Sequence, residues 1–177
     1  MAALFSGIAR LFGASDSSPH YKTVEVYDSL RTQVLSLRSE QVGAGPEDEV
    51  IAVLMETGYS EAVATLVSVI DGAASLYFSS GGGIIGGGEH ERANAASKKL
   101  IRMAGLSLKH MKRTATSPLP NESFTRFYAV TRSGLFSAEV KEEDLGEGRS
   151  PLSPLFHTAH ELITEIRIID EQRTKKG

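Results

Sequence analysis

Residues Val63–Ser80 read VATLVSVIDGAASLYFSS, and the periodicity on either side of Asp71-Gly72 decides the fold class. In the first half Val63, Val67 and Val69 alternate with Ala64, Leu66 and Ile70, so both faces are apolar, as in a central strand covered on both sides. Asp-Gly is the strongest short hairpin signal, because a two-residue type I′ turn needs positive φ at both central positions. The returning half places Ala74, Leu76 and Phe78 on one face and Ser75, Tyr77 and Ser79 on the other, the alternation of a half-buried strand. An antiparallel sheet follows.

Immediately after this hairpin comes Gly81–Gly88, GGGIIGGG, six of the chain's seventeen glycines. Gly81, Gly83 and Gly86 match the spacing G-x-G-x-x-G. That fingerprint works in a parallel βαβ unit, which aims a helix N-terminus at a pyrophosphate and places a carboxylate about 20 residues on for the ribose. Here the preceding strand is the return arm of a hairpin, the expected position holds Leu106, Ser107 and Leu108, and Glu89 and Glu91 stand where phosphate would go. The expectation is therefore no nucleotide cofactor and a loop shaped by backbone packing or by a partner. Ile84 and Ile85 either anchor that loop to its own core or form an apolar tip that meets another protein.

Outward from the hairpin the pattern predicts a first helix from Thr23 through Tyr27, Leu30, Val34 and Leu37, closed by Gly43, Gly45 and Pro46. VIAVLMETGY suits either a strand or a helix that Pro46 would open, and the strand is preferred. A long helix is expected from Glu89 to Arg113, burying Ala93, Ala96, Leu100, Met103, Ala104, Leu108 and Met111. A second hairpin, Arg126–Thr131 and Leu135–Val140, precedes an acidic loop and a final helix carrying Leu155, Phe156, Ala159, Leu162, Ile163, Ile166 and Ile169. The fold class is thus α+β, with about five antiparallel strands and three helices. One domain spans 21–170, an N-terminal segment and linker span 1–20, and a charged tail spans 171–177.

This element order, and the VATLVSVIDGAASLYFSS hairpin followed by a long helix, resembles the profilin-like folds and among them the roadblock type of dynein light chain. The resemblance covers about residues 24–169. It implies a five-stranded antiparallel sheet sandwiched between helices, homodimerisation, and a protein partner such as a small GTPase. The family usually has two strands before its middle helix and three after, whereas three and two are counted here.

Composition narrows the function classes. With 177 residues, 41% hydrophobic and 23% charged, the chain is an ordinary globular domain, one that buries roughly 70% of its unfolded surface. Nineteen basic against 22 acidic residues give a net charge of −3, which makes nucleic acid an unfavoured partner. The absence of cysteine removes disulfides and thiolate ligands and suits a cytoplasmic setting. No apolar run reaches the ~18 residues of a membrane span, and the first residues lack the pattern of a signal peptide. Leu4, Phe5, Ile8, Leu11 and Phe12 share one side of a short amphipathic helix, which is either an anchor for a membrane surface or a partner groove or a helix packed on its own domain or frayed at the terminus.

Charge is segregated along the middle helix. Arg92, Lys98, Lys99, Arg102, Lys109, Lys112 and Arg113 are all basic, with no acidic residue among them, and Lys98, Arg102, Lys109 and Arg113 fall on one side. They form a patch for an acidic partner, or a solvated face that the acidic loop Glu139–Glu147 neutralises. His157, His160 and Glu161 do not follow a zinc-helix order, and His90 with Ser79, Ser80 and Asp71 lacks a nucleophile elbow. No catalytic, metal or cofactor residue is expected. The reading is a non-enzymatic interaction or regulatory module, homodimeric, whose partner surface is Gly81, Gly82, Gly83, Ile84, Ile85, Gly86, Gly87 and Gly88 with Lys98, Arg102, Lys109 and Arg113. The rival readings are a small-molecule or nucleotide binder with the glycine loop as lid, and a peripheral membrane or assembly-associated protein held by residues 4–12.

Overall fold

The computed structural model describes residues 21–41, 45–46 and 49–176. The anchor residues Leu4, Phe5, Ile8, Leu11 and Phe12 lie outside them. Helix α1 (Glu25–Leu35) precedes β1 (Val50–Gly58), β2 (Val63–Val69), β3 (Ala74–Phe78) and the short β4 (Gly83–Ile84). Helix α2 (Glu91–Ser107), β5 (Lys112–Thr114), β6 (Phe124–Thr131), β7 (Gly134–Lys141), α3 (Glu142–Gly146) and α4 (Ser153–Lys176) complete the chain. The strands form one antiparallel sheet in the order β4-β3-β2-β1-β6-β7-β5.

VIAVLMETG is a strand, and all nine of its residues are buried. It sits between β2 and β6, so side chains of both parities are covered, which removes the alternation that would have marked it as a strand. On one face Val53, Met55, Leu66, Leu76, Phe127 and Ala129 pack with Leu100, Ile101 and Ala104 of α2 and Leu155, Ala159, Leu162 and Ile166 of α4. On the other, Ile51, Leu54, Val67, Tyr77, Tyr128 and Val130 pack with Tyr27, Leu30 and Val34 of α1. The sheet is therefore covered by helices on both faces.

Four expectations are corrected. The Asp71-Gly72 turn is not type I′: among its residues only Gly72 has positive φ, +95°. Val69 N–H donates to Ala73 O at 2.9 Å and Gly72 N–H to Val69 O at 2.8 Å, so the loop is Ile70-Asp71-Gly72. Asp71 Oδ1 accepts the Ala73 N–H at 2.8 Å, and this local bond favours the three-residue loop with a left-handed glycine. The middle helix does not reach Arg113. It ends at Ser107, a single tight turn follows through His110, and Lys112–Thr114 pair with Leu135–Ser137 on the outer edge of β7. That edge supplies hydrogen bonds that a further helical turn would forgo. The sheet consequently has seven strands, the five expected ones plus β4 and β5. The final helix also continues through the charged tail to Lys176.

Candidate functional site

The glycine run is built largely by close backbone packing. Ser79–Gly82 turn the chain back, with Gly81 N–H donating to Phe78 O at 2.9 Å and Phe78 N–H to Gly82 O at 3.1 Å. Gly83 and Ile84 then add β4 along Tyr77 and Leu76. A Cβ on Gly83 would stand 2.5 Å from Leu76 O, and one on Gly88 would stand 2.4 Å from Gly72 O, distances no side chain tolerates. Asn94 Nδ2 of α2 donates to Gly88 O at 3.2 Å and to Asp71 O at 3.3 Å, tying the run's exit to the opposite turn. These glycines therefore let the chain cross β3 and enter α2 at backbone contact.

The two isoleucines divide. Ile84 packs against the α2/α4 core, while Ile85 is 60% exposed and the nearby Phe78 is 40% exposed. Ile85 follows β4 at the sheet edge, whereas Phe78 lies one strand in, on β3 opposite Ala64, and shares the face of Leu76 and Ile84. The opposite edge, β5, is LysArgThr, with Lys112 and Arg113 exposed. The Arg113 guanidinium lies 5.2 Å from the Phe136 ring centre and donates to Ser133 O at 2.7 Å. One edge is guarded by charge; the other carries no charge and is only two residues long.

The basic residues do not form one stripe. Arg113 belongs to β5, and Lys109 to the turn before it. Arg92 pairs with Glu165 at 2.8 Å and Lys99 with Glu161 at 2.5 Å, both on α4. The acidic loop does not neutralise the helix as expected, because Arg149 takes Glu143, Asp144 and Glu147, and Arg126 takes Glu139. Lys98 and Arg102, four residues apart on α2, form no ion pair among the described residues. They line a cavity of about 400 Å³ with Glu49, Val50, Ile70, Ile101 and Gly105. No residue of the glycine run lines that cavity, so the two halves of the expected partner surface are separate places.

The catalytic and metal alternatives can be located. Ser79 is buried, and its Oγ accepts the Val63 N–H at 2.8 Å, whereas Asp71 caps the turn at the other end of β3. Among the described residues no group of three metal-ligating side chains converges. Glu161 is engaged by Lys99, and the His160 ring sits 4.4 Å from that of Phe156. Burial, then the neighbouring His157, hold the His160 imidazole below its ordinary pKa. A further cavity, about 620 Å³, is lined by Ser123, Phe124, Lys141, Glu142, Glu143 and Phe156. Ser123 has φ +64°, and burial pushes the Glu142 carboxyl up, but no hydrogen bond joins the two side chains.

Compared with known proteins, the chain matches no family model, no curated relative and no solved structure.

Sequence reasoning missed a buried polar network under α1. Glu56 is 0% exposed, and its carboxylate accepts Arg31 Nε at 2.7 Å and Nη2 at 2.9 Å. Arg31 also donates to Ser117 O at 2.8 Å and lies over the Tyr128 ring at 5.5 Å. Tyr27 and Thr65 hydroxyls are 2.9 Å apart, and Tyr128 Oη donates to Pro118 O at 2.5 Å. The signal was available: a lone carboxylate inside VIAVLMETG requires a buried cation, and Arg31 follows Tyr27 by one helical turn on the core-facing side of α1.

Proposed function

We propose that this chain is a non-enzymatic protein-interaction module that self-associates edge to edge through β4, two copies extending their sheets around a two-fold axis. The observation that carries this reading is the uncharged edge. β4 and its flanks carry no charged residue and no proline, expose Ile85, and leave one side of the strand without a neighbouring strand. Exposed edges are normally blunted by shortness, Lys, Pro, bulges or a covering element; β5 carries Lys and Arg, whereas β4 has only its two-residue length. Antiparallel pairing of two identical edges is isologous and closes at two copies, covering Ile85 in the process. Helices on both sheet faces support the profilin-like, roadblock-type build, and that resemblance makes a small GTPase the partner class to try against the dimer.

Sedimentation equilibrium of the full chain tests the reading. The wild type is expected to dimerise with a dissociation constant below ~100 µM, or about −5.5 kcal/mol. Ile85→Lys places two ammonium groups on the shared edge and should give monomers with an unchanged melting temperature, since the side chain already faces solvent. A wild type that stays monomeric at ~100 µM, or an I85K variant that still dimerises, refutes it.

A further inference from the structure

We infer that the cavity between α2 and the end of the sheet is a binding site for an organic carboxylate with an aliphatic body, of the size and kind of a medium-chain fatty acid. Its chemistry is two-part. Val50, Ile70 and Ile101 form the apolar floor; Lys98 and Arg102 stand at the rim with exposed heads. The volume of about 400 Å³ falls in the range of small-molecule sites, which pair mostly apolar walls with a few convergent polar groups.

The two cations are what the fold leaves unexplained. Arg92 and Lys99 have carboxylate partners on α4, so charge on that flank of α2 is satisfied. Lys98 and Arg102 share the other flank at i, i+4, where like charges repel, and no described carboxylate reaches either. Glu49 also lines the cavity, but its Oε2 accepts Arg132 Nε at 3.0 Å and Nη2 at 2.8 Å, so its charge is already met. A ligand carboxylate between Lys98 and Arg102 would relieve the repulsion and take charge-assisted bonds from a guanidinium fork and an ammonium. Among the described residues the walls carry neither Ser nor Thr, which favours a carboxylate with a chain over a bare phosphate. Gly105 shapes the mouth, since nothing lies within 4 Å of a Cβ built there.

Calorimetric titration of the full chain with hexanoate, octanoate and decanoate tests the site, with octanol, octylamine and inorganic phosphate as controls. Each added methylene is expected to tighten binding about fourfold, from ~0.8 kcal/mol per buried CH₂. Octanoate should outbind octanol and octylamine, and Lys98→Gln with Arg102→Gln should weaken it about tenfold or more. Gly105→Leu fills the open space with a side chain and should abolish octanoate binding while leaving the circular dichroism spectrum unchanged. Should that variant misfold, the exposed Lys98 and Arg102 substitutions decide alone. No carboxylate binding, affinity independent of chain length, phosphate binding as tight as octanoate, or octanoate binding unaffected by the Lys98 and Arg102 changes would each overturn the site.

Discussion

Replacing Arg31 by Ala should be among the most damaging single changes to the described part of this chain. Glu56 lies at 0% exposure in the central strand, and the Arg31 side chain is 12% exposed. Without Arg31 the carboxylate keeps only the Thr65 hydroxyl, at 3.4 Å. Removing one partner of a buried pair leaves an uncompensated charge and costs about 3–5 kcal/mol. For a chain of this size that lowers the melting temperature by roughly 2–4 °C per kcal/mol, or about 6–20 °C in all. The paired replacement Arg31→Met with Glu56→Leu should recover most of this loss, because two apolar side chains of similar volume carry no desolvation cost. Urea unfolding of the wild type, Arg31→Met, Glu56→Leu and the double variant, followed by circular dichroism, gives the four free energies of the double-mutant cycle. The exposed Lys99–Glu161 pair serves as the comparison and should be worth no more than about 1 kcal/mol. A loss below about 1 kcal/mol for R31A would mean that the pair is hydrated in solution and that α1 does not close over it.

The glycines should separate by environment. Gly105→Ala, in the open part of α2, should stabilise by about 0.5–1 kcal/mol, whereas Gly88→Ala, whose Cβ would meet Gly72 O, should destabilise by ~1–3 kcal/mol; urea midpoints read both. His160 has a folded pKa below its unfolded value, so its contribution is complete above about pH 6.5 and is lost as pH falls below that. Melting temperatures between about pH 7 and 5 should therefore drop in the wild type and flatten in His160→Phe. Burial, the largest cause, raises Tyr128 to about 12 and moves Tyr27 and Tyr77 higher still. The stability these phenols contribute is present below the unfolded tyrosine pKa of about 10 and is lost as pH rises through the folded values. Ultraviolet titration should show a late tyrosinate step coinciding with alkaline unfolding, and normal titration of all five tyrosines in the native state would contradict it.

The hairpin at Val63–Ser80 was legible because alternation survives where a strand has one solvated face or a clear turn. β1 was ambiguous for the opposite reason: buried on both faces, it reads as a continuous apolar run. β4 and β5 were invisible, at two and three residues, since a strand that short exists only through the partner edge it finds. The helix boundary at Ser107 was missed on the same ground. Met111 continues the apolar spacing and is buried, yet it reaches the core from the turn before β5. Of the candidate surface, Ile84 and Ile85 could be named but not oriented, because neighbours in a strand face opposite ways and a one-residue shift exchanges them. Lys98 and Arg102 could be placed on one helix face, but only the three-dimensional arrangement shows that α4 neutralises Arg92 and Lys99 while no carboxylate among the described residues pairs with these two.

Amide hydrogen exchange of Gly83–Ile85 as a function of protein concentration tests the β4 interface most directly. Pairing with a second copy predicts that the Gly83 and Ile85 amides, which alternate with the inward-facing Ile84, exchange quickly in dilute solution and become protected as the dimer fills, while those of Lys112–Thr114 on the guarded edge stay the same. Exchange at Gly83 and Ile85 that does not change across the concentration range would contradict self-association through this edge.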